Sequence, residues 1–407
     1  MTDELIVDES GGVKKHGVLL LVFWLPFVSI FLVDLVGRFG AEAAMPKLGS
    51  VERPRGAPST TVARVTGDLV RMAGVPFIRS RLPHGSRVTV ANNSFGFRDN
   101  EEILSKDPEV IICGASFADH GTSNDASLTA LIRQDCDVTI QNRSMAGQGP
   151  TASVTGYFLG EKVASSKSRV VVWCMIERDL GQRWMKGFVG LDAKNTTEVN
   201  QESLRQRQSK KAIRSYPSRF DGYYKTTSVS REFFSNYGHL LPPTCFDRGL
   251  SSHCRLYQLD GDPDHPIAFY RPSLNGHKKK FEERAAQKLA DNMLKLDAFA
   301  NSLGKKLLVV LVPDKYTVYG DRVEALVVDD ALTNLVQNSE RLDLVEHALR
   351  VGGAEVLNLR PVLTQKAAVS PKDELLYYRE DTHWNDRGIR VGAGAIAIEV
   401  NRLLKTK

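Results

Sequence analysis

Short apolar runs that alternate with helical patterns constrain the fold of this chain more than any other feature. The runs lie at 110–113, 138–141, 170–176, 306–312 and 355–359. Patterns with helical spacing lie at 126–134, 150–164, 278–303, 321–351 and 386–404, and the pattern at 321–351 is either continuous or broken once. Short apolar strands separated by helices are typical of a parallel sheet that is covered on both faces. Right-handed crossovers between such strands then predict a three-layer, doubly wound α/β fold.

Polar and small residues follow four of these predicted strands at the point where each strand ends. In chain order they are Ser116, Gly147, the pair Glu177-Arg178 and the pair Asp314-Lys315. The carboxyl ends of parallel strands meet at one edge of the sheet, where the functional loops of such folds lie. The four loops therefore predict a single site at that edge.

Two motifs supply the residue types of a nucleophilic catalytic site. Ser116 lies in a turn at 114–117, where small residues follow an apolar strand and leave the hydroxyl at the strand's end. Asp381 and His383 lie one residue apart in a second motif at 381–385. A hydroxyl nucleophile needs a base, and the base needs a carboxylate that orients it and stabilises the imidazolium. Singly, Ser116 also suits a helix N-cap and His383 a hydrogen-bonded loop histidine. Together they predict a Ser–His–Asp acyl-transfer enzyme.

Composition argues against several other classes of protein. The chain has 407 residues, of which 42% are hydrophobic and 25% charged, as expected for a globular protein. Its net charge of +6 is mild and spread along the sequence. That charge permits an anionic partner, but we find no RNA- or DNA-binding signature and expect no nucleic acid.

An apolar run at 17–36 is long enough to cross the hydrocarbon core of a bilayer. We favour an uncleaved signal anchor, with 1–16 as a cytoplasmic tail. The alternative is a long signal peptide that is cut after 41–43. Either interpretation exports the rest of the chain. The anchor places it on the inner membrane as a single-pass protein with its catalytic domain in the periplasm.

The remaining sequence divides into a linker and one large domain. Residues 37–65 are polar and rich in Pro and Gly, which indicates a linker. The catalytic domain is predicted at 66–407. Its strand and helix alternation lapses at about 180–276, which we interpret as an insertion. The insertion either lines the active edge or is a surface excursion with no role in substrate binding.

The cysteines fit an exported protein loosely. Cys113 and Cys174 lie on predicted core strands, where they act as small apolar residues. Cys245 and Cys254 flank a polar loop and can form a local disulfide in an oxidising compartment. No Cys/His grouping has the spacing of a zinc site. We therefore expect neither a metal nor a cofactor.

Two loops resemble the first two sequence blocks of the SGNH hydrolase superfamily. Gly-Ala-Ser-Phe at 114–117 stands where that family has Gly-Asp-Ser, with Ala115 in place of the usual Asp. Asn-Arg-Ser-Met-Ala-Gly at 142–147 looks like the second block. The resemblance implies that Ser116 is the nucleophile. It also implies that the amides of Ser116 and Gly147 stabilise the oxyanion.

Two other segments extend the resemblance and mark a departure from it. Asn-Ser-Phe-Gly-Phe-Arg-Asp at 93–99 resembles a segment found just before the Ser strand in exported members. The third block, usually Gly-x-Asn-Asp, is absent, and 176–179 occupies its place. Arg178 can replace the missing oxyanion donor, or it can pair with Glu177.

Three features are similar to the periplasmic alginate O-acetyltransferase group of SGNH-like proteins. They are the Asp-x-His spacing at 381–383, the Pro-Asp-Lys at 313–315 with Tyr319 beyond it, and the Glu-Arg pair at 177–178. In the alginate enzymes the Asp-x-His precedes the Ser, whereas here the Ser comes first. The chain is therefore expected to be a relative of that group.

Four further residues are candidate substrate contacts. Trp384 can stack on a sugar ring or pack in the core. Lys315 and Tyr319 can contact substrate, or they can form a salt bridge and a buried phenol. Asn385 is grouped with them because it extends the same motif. His120 is expected to be a surface residue of the first turn after Ser116, with no catalytic role.

The resemblance implies an exported, membrane-anchored O-acetyltransferase that acts on a polysaccharide through an acyl-enzyme. It also implies that a multi-span membrane acyltransferase delivers the acyl donor. One alternative is an esterase that deacetylates an extracellular glycan with the same triad. Another is a non-catalytic glycan-binding or assembly subunit.

Overall fold

The computed structural model describes residues 61–66, 68–69, 86–104, 106–146, 149–158, 166–180, 254–277, 280–325 and 340–406. In chain order the strands are β1 (Thr61–Val65), β2 (Arg87–Ala91), β3 (Val110–Gly114), β4 (Ile140–Asn142), β5 (Val170–Ile176), β6 (Cys254–Leu259), β7 (Asp262–Tyr270), β8 (Lys306–Val312), β9 (Val323–Ala325) and β10 (Glu355–Asn358). The helices are α1 (Glu101–Leu104), α2 (Leu128–Asp135), α3 (Pro150–Phe158), α4 (Arg271–Asn275), α5 (Glu283–Ser302), α6 (Lys315–Tyr319), α7 (Arg341–Val351), α8 (Arg360–Val369) and α9 (Asp386–Lys405).

Five of these strands form one parallel sheet in the order β10-β8-β5-β3-β4. They are the five strands that the apolar runs predicted, with bounds that differ by at most two residues at either end. Numbered along the chain, their spatial order is 2-1-3-4-5, an order known from doubly wound sheets. The predicted α/β class with a parallel sheet is confirmed.

Helices pack against both faces of this sheet because its strands are apolar on both sides. Every residue of β5 is buried, and its side chains alternate between two separate cores. Helices α2 and α9 contribute to one core, and α3, α5 and α7 contribute to the other. Burying each Val, Leu or Ile side chain contributes about 1.5–3 kcal/mol to folding. The sheet is therefore a rigid platform for the loops at its edges.

The predicted helix at 321–351 is wrong in its first part. Gly320–Arg322 forms a single 3₁₀ turn, and β9 follows directly. β9 pairs antiparallel with β6, so inter-strand hydrogen bonds override the local helical pattern there. Among the described residues of this segment, α7 keeps the predicted helix from Arg341 to Val351.

Part of the predicted insertion is ordered as a hairpin. β6 and β7 pair through a turn in which Asp260 and Gly261 have positive φ angles of 52° and 70°. With β9 they form a three-stranded antiparallel sheet. β1, at the end of the predicted linker, pairs with β2. The pairings of β9 with β6 and of β1 with β2 were not predicted, because in each case the partner lies far away in sequence.

Several predictions concern segments outside the described residues. The span at 17–36, most of the linker, Gly147, Cys245 and the insertion at 181–253 all lie there. Within the part of the chain that the structure describes, no helix is both long and apolar enough to cross a membrane. The anchor and the disulfide therefore stay predictions.

Candidate active site

The Ser116 turn depends on a close approach that requires glycine. A Cβ atom on Gly114, the last residue of β3, would lie 2.6 Å from the Cβ of Ala118 and 3.2 Å from that of Cys174. The loop after β4 runs alongside, with the amide of Met145 donating to the carbonyl of Gly114 at 2.9 Å. The hydroxyl of Ser116 therefore projects from the carboxyl edge of the sheet beside the second predicted block.

Arg98 holds the chain that follows Ser116. Its guanidinium is 2% exposed and donates to the backbone carbonyls of Asp119, Gly121 and Ser123 at 2.7–2.8 Å. Asn142 adds a hydrogen bond from its side-chain amide to the carboxylate of Asp119 at 3.1 Å. Arg98 belongs to the segment at 93–99, so that motif has a physical role as a brace for the nucleophile loop.

Ser116, His383 and Asp381 form an unbroken hydrogen-bond relay. The Oγ of Ser116 lies 2.7 Å from Nε2 of His383, and Nδ1 of His383 lies 2.6 Å from Oδ1 of Asp381. With Nδ1 facing a carboxylate, these partners fit the tautomer that carries the proton on Nδ1 and accepts the Ser116 proton at Nε2. The structure thus brings together the three residues predicted as the triad, and their catalytic role remains a prediction.

The Asp381 carboxylate is suited to orient the imidazole. Burial alone would raise its pKa, but the His383 ring beside it and their hydrogen bond hold that pKa well below its ordinary value. The carboxylate also accepts the backbone amide of His383 at 3.1 Å. Asp381 therefore keeps its charge and fixes both the ring and the main chain of the base.

Two aromatic rings enclose the His383 imidazole. The ring of Phe117 lies 4.8 Å away between centroids, and the ring of His120 stacks on it at 4.4 Å with an interplanar angle of 3°. His120 is 4% exposed, so the prediction of a surface residue is wrong. The turn after Ser116 folds back over the base, which hides His120 against it.

Asp68 is a site residue that sequence reasoning missed. Both of its carboxylate oxygens accept from Thr382, at 2.7 Å from the amide and 2.6 Å from the hydroxyl. Its Oδ2 lies 3.6 Å from Nδ1 of His383. Burial and the nearby charge of Asp381 raise the pKa of Asp68 to about 6. No signal in the sequence marked it, because it stands in no motif and at the border of the predicted linker.

Asp68, Asp381 and His383 are also the residues that could hold a metal ion in the described part of the chain. One ligand atom from each lies within 4.8 Å of the others. Nδ1 of His383 and Oδ1 of Asp381 are at hydrogen-bonding distance, so a proton between them already satisfies both atoms. A metal ion would replace that proton and break the relay, which makes the cluster a better proton site than a metal site.

Trp384 and Asn385 do not have the side-chain placement of substrate contacts. The indole of Trp384 is fully buried and donates to the carbonyl of Phe117 at 3.0 Å. The side chain of Asn385 caps α9 by accepting the amides of Arg387 and Gly388, and it donates to the carbonyl of Leu375 at 2.6 Å. Both predicted contacts are corrected, since these side chains hold the triad loop and are satisfied within the protein.

Lys315 and Tyr319 also support that loop. The ammonium of Lys315 is buried and donates to the carbonyls of Ala268 and Tyr378, each at 2.7 Å. Burial lowers the pKa of Lys315 to about 8. The Tyr319 hydroxyl is buried and accepts the amide of Leu376 at 2.7 Å. The packed loop buries the Tyr319 side chain, so its predicted substrate contact is corrected. Lys315 lines a small pocket beside Arg178, so its predicted substrate contact stays a prediction.

Glu177 and Arg178 do not form a salt bridge with each other. The Glu177 carboxylate accepts the amide of Asp314 at 3.0 Å and also binds the hydroxyl of Thr317. Burial and the charge of Asp314 raise the pKa of Glu177 to about 7. Arg178 donates to the carboxylate of Asp314 at 3.3 Å instead.

Arg178 lies next to the nucleophile turn. Its guanidinium carbon is 5.1 Å from the ring centroid of Phe117, the residue after Ser116. It also lines a small pocket together with Tyr270, Tyr316 and Thr382. This position is compatible with the predicted oxyanion donor. Of the two predicted backbone donors, Ser116 and Gly147, the second lies outside the described residues, so the oxyanion hole stays a prediction.

With this geometry established, comparison with known proteins gives a family model that matches part of the chain. Residues 273–407 match the family model of the SGNH hydrolase-like domain, acetyltransferase AlgX. The resemblance to the SGNH superfamily and its AlgX-like group is thereby confirmed. The matched AlgX-like region contains Asp381 and His383, whereas Ser116 and Asp68 lie before it.

One solved structure, the salicylyl-acyltransferase SsfX3 from a tetracycline biosynthetic pathway, also matches the chain. The match covers 79% of this chain and 59% of that one, at 10% identity and a TM-score of 0.30. Similarity this low supports no conclusion about the present chain. The search of curated proteins found no match.

Proposed function

We propose that this protein is an SGNH-type O-acyltransferase that transfers acetyl groups to hydroxyls of a polysaccharide through an acyl-enzyme on Ser116. The observation that carries the proposal is the relay from Ser116 through His383 to Asp381, with heavy-atom distances of 2.7 and 2.6 Å. The family match supports acyl-transfer chemistry for the region that holds the base.

In the first half-reaction, Ser116 Oγ attacks the carbonyl carbon of the acyl donor while His383 Nε2 takes its proton. The imidazolium is stabilised by Asp381, which accepts the Nδ1 proton without taking it. The oxyanion of the tetrahedral intermediate is met by the amides of Ser116 and Gly147, with Arg178 as the third donor. His383 then returns the proton to the leaving group, and the acetyl ester of Ser116 remains.

In the second half-reaction, a sugar hydroxyl replaces the leaving group. His383 Nε2 takes the proton of that hydroxyl as its oxygen attacks the acetyl carbon. Collapse of the second tetrahedral intermediate breaks the bond to Ser116 Oγ, which recovers its proton from His383. Transfer differs from hydrolysis only in the acceptor, so a glycan must outcompete water at this step.

The membrane anchor, the partner that supplies the acyl group and the charge of the polysaccharide are proposed from the sequence. The apolar run at 17–36 supports a single-pass anchor in the inner membrane with the catalytic domain in the periplasm. Acetyl-CoA is cytoplasmic, so the proposal includes a multi-span membrane acyltransferase that hands over the acyl group. The basic residues of the insertion, such as Arg205, Arg207, Lys210 and Lys211, favour an anionic polysaccharide.

The test is an acetyl-transfer assay on the purified protein. An activated acetyl ester is supplied with and without an anionic polysaccharide, and acetate and polymer-bound acetyl are both measured. We expect polymer acetylation that depends on Ser116 and is lost in Ser116→Ala. Acetate release that is unaffected by glycan would show an esterase instead, and full acetylation by Ser116→Ala would show a non-catalytic subunit.

A further inference from the structure

We propose that Asp68 is a positioning residue of the catalytic relay: it fixes the orientation of Asp381 and places a second carboxylate beside the imidazolium that forms on His383. This inference deepens the proposed function and rests on it for the reaction in which the relay works. It assigns a role to a residue that lies outside the region of family similarity.

Asp68 and His383 bind different oxygens of the Asp381 carboxylate. The backbone amide of Asp68 donates to Oδ2 of Asp381 at 2.9 Å, and Oδ1 of Asp381 accepts Nδ1 of His383 at 2.6 Å. Each oxygen of Asp381 thus has its own donor, and rotation of the carboxylate would break both bonds. Asp68 therefore sets the plane in which Asp381 meets the base.

The side chain of Asp68 fixes the residue between the other two members. Its Oδ1 accepts the amide of Thr382, and its Oδ2 accepts the hydroxyl of Thr382. A bidentate contact of this kind holds both the main chain and the χ1 rotamer of one residue. Since Thr382 links Asp381 to His383, the distance between carboxylate and imidazole depends on it.

Charge gives Asp68 a second effect on the base. Its Oδ2 lies 3.6 Å from Nδ1 of His383, too far for a good hydrogen bond but well within the range of a direct charge interaction. When His383 takes the proton of Ser116, the Nδ1 side of the imidazolium faces two carboxylates. An ionised Asp68 favours that state and leaves the neutral imidazole unaffected.

This effect requires Asp68 to be ionised, which depends on its surroundings. Burial and the charge of Asp381 raise its pKa to about 6, while His383 and the Thr382 hydrogen bond lower it. Among the described residues, Arg178, Lys315, Tyr270 and Cys254 also interact with its charge. Protonation as the pH falls through about 6 removes the second carboxylate from the relay.

A second hydrogen bond, between Thr66 and Glu380, also links the chain near Asp68 to the loop that carries His383. It does not involve the His383 ring, so it provides a matched control. The hydroxyl of Thr66 donates to Oε1 of Glu380 at 2.8 Å and accepts the amide of Ser86. Thr66→Val removes this link two residues before Asp68. If Asp68 only anchored the chain, the two variants would behave alike.

The experiment compares Asp68→Asn and Thr66→Val in the full chain. We expect Asp68→Asn to lower kcat for acetyl-ester turnover by about 10- to 100-fold with KM little changed. It should also remove a protonation step near pH 6 from the rate profile. Thr66→Val should keep both kcat and that step. Unchanged kcat in Asp68→Asn, or equal losses in both variants, would overturn the inference.

A measurement without turnover separates this inference from the proposed function. The proton that His383 and Asp381 share is observable by NMR as a far-downfield resonance in the resting protein. We expect Asp68→Asn to shift this resonance clearly more than Thr66→Val does. If wild type and Ser116→Ala were equally inactive, the proposed function would fail, yet the resonance would still decide the role of Asp68. A resonance that moves equally in both variants would refute it.

Discussion

The two loops that meet at the relay are held in place by different means. The Ser116 loop is held through its backbone: a glycine at the end of β3 permits the turn, and Arg98 donates to three main-chain carbonyls of the segment that follows. The His383 loop is set by distant side chains, among them Lys315, Tyr319 and Asp68. The nucleophile is therefore positioned by the sheet, and the base by a network that reaches across the fold.

This difference explains how the residues of each loop tolerate change. A turn fixed by close backbone approach fails when volume is added to it. A loop held by buried hydrogen bonds fails when a partner is removed and polar atoms are left unsatisfied. The predictions below probe the two loops in these separate ways, from the largest expected effect to the smallest.

Asp381→Asn should have the largest effect on activity. An amide cannot accept the Nδ1 proton with the charge of a carboxylate, and it favours the wrong tautomer of His383. We expect kcat to fall by about 10³–10⁴-fold with little change in the melting temperature. Ester turnover and thermal unfolding measure the two quantities. A loss of less than tenfold would show that the base does not need this partner.

Gly114→Ala should damage the Ser116 loop through packing. The new Cβ would meet the Cβ of Ala118 at 2.6 Å, so strand and turn must separate. We expect the free energy of unfolding to fall by about 1–3 kcal/mol. Gly394→Ala in α9 is the matched control, because its Cβ meets no atom within 4 Å. That control should be neutral or slightly stabilising in the same denaturant titration.

Lys315→Met should loosen the His383 loop while keeping the core apolar. It leaves the carbonyls of Ala268 and Tyr378 without their donor, which costs about 1–3 kcal/mol. We expect a lower kcat as well, because the loop that carries His383 loses the hydrogen bond from Lys315 to Tyr378.

Lys305→Met is the control for that change. Lys305 is also buried and donates to the carbonyls of Ser166 and Ser168, but it lies before β8, at the opposite end of that strand from Lys315. It should lose stability without a loss of kcat per folded molecule. Equal losses of kcat in both variants would contradict the assignment of Lys315 to the triad loop.

Glu177→Gln should change stability rather than activity, and the size of its effect should depend on pH. The folded-state pKa of Glu177 is raised to about 7, so the folded protein binds this proton more tightly than the unfolded chain does. Its contribution to stability is therefore present below about pH 4.5 and is lost as the pH rises through about 7. As the pH rises from 5.5 to 8.5, the free energy of unfolding of Glu177→Gln should increase by about 1–3 kcal/mol relative to that of wild type. Thermal unfolding at the two pH values measures this gain, and a constant difference would refute it.

The sequence predicted those parts of the molecule that depend on local pattern. The strands of the parallel sheet were found because burial on both faces makes them continuously apolar, as in β5. Ser116, Asp381 and His383 were found because each lies in a recognisable turn or motif. The helix predicted at 321–351 failed where β9 pairs with β6, since pairing between distant strands leaves no local trace.

The supporting residues of the site could not be predicted for the same reason. Trp384 and Tyr319 have chemistry that suits a sugar as well as a packed loop, and only their burial decides between the two. Asn385 is half-buried, and its helix-capping hydrogen bonds decide its role instead. Asp68 contacts Asp381 from 313 positions away in the chain. Neither its residue type nor its neighbours in sequence distinguish it from a surface aspartate.

The relay also has a consequence for the order of folding. Ser116 and His383 are 267 positions apart, and β5 and β8 must be in place between them before the hydroxyl and the imidazole can meet. Contacts of such long sequence separation form late, because a large loop must close first. During synthesis the ribosome releases the nucleophile long before the base. The relay of Ser116 therefore cannot form until His383 has been synthesised and the sheet between the two residues has folded.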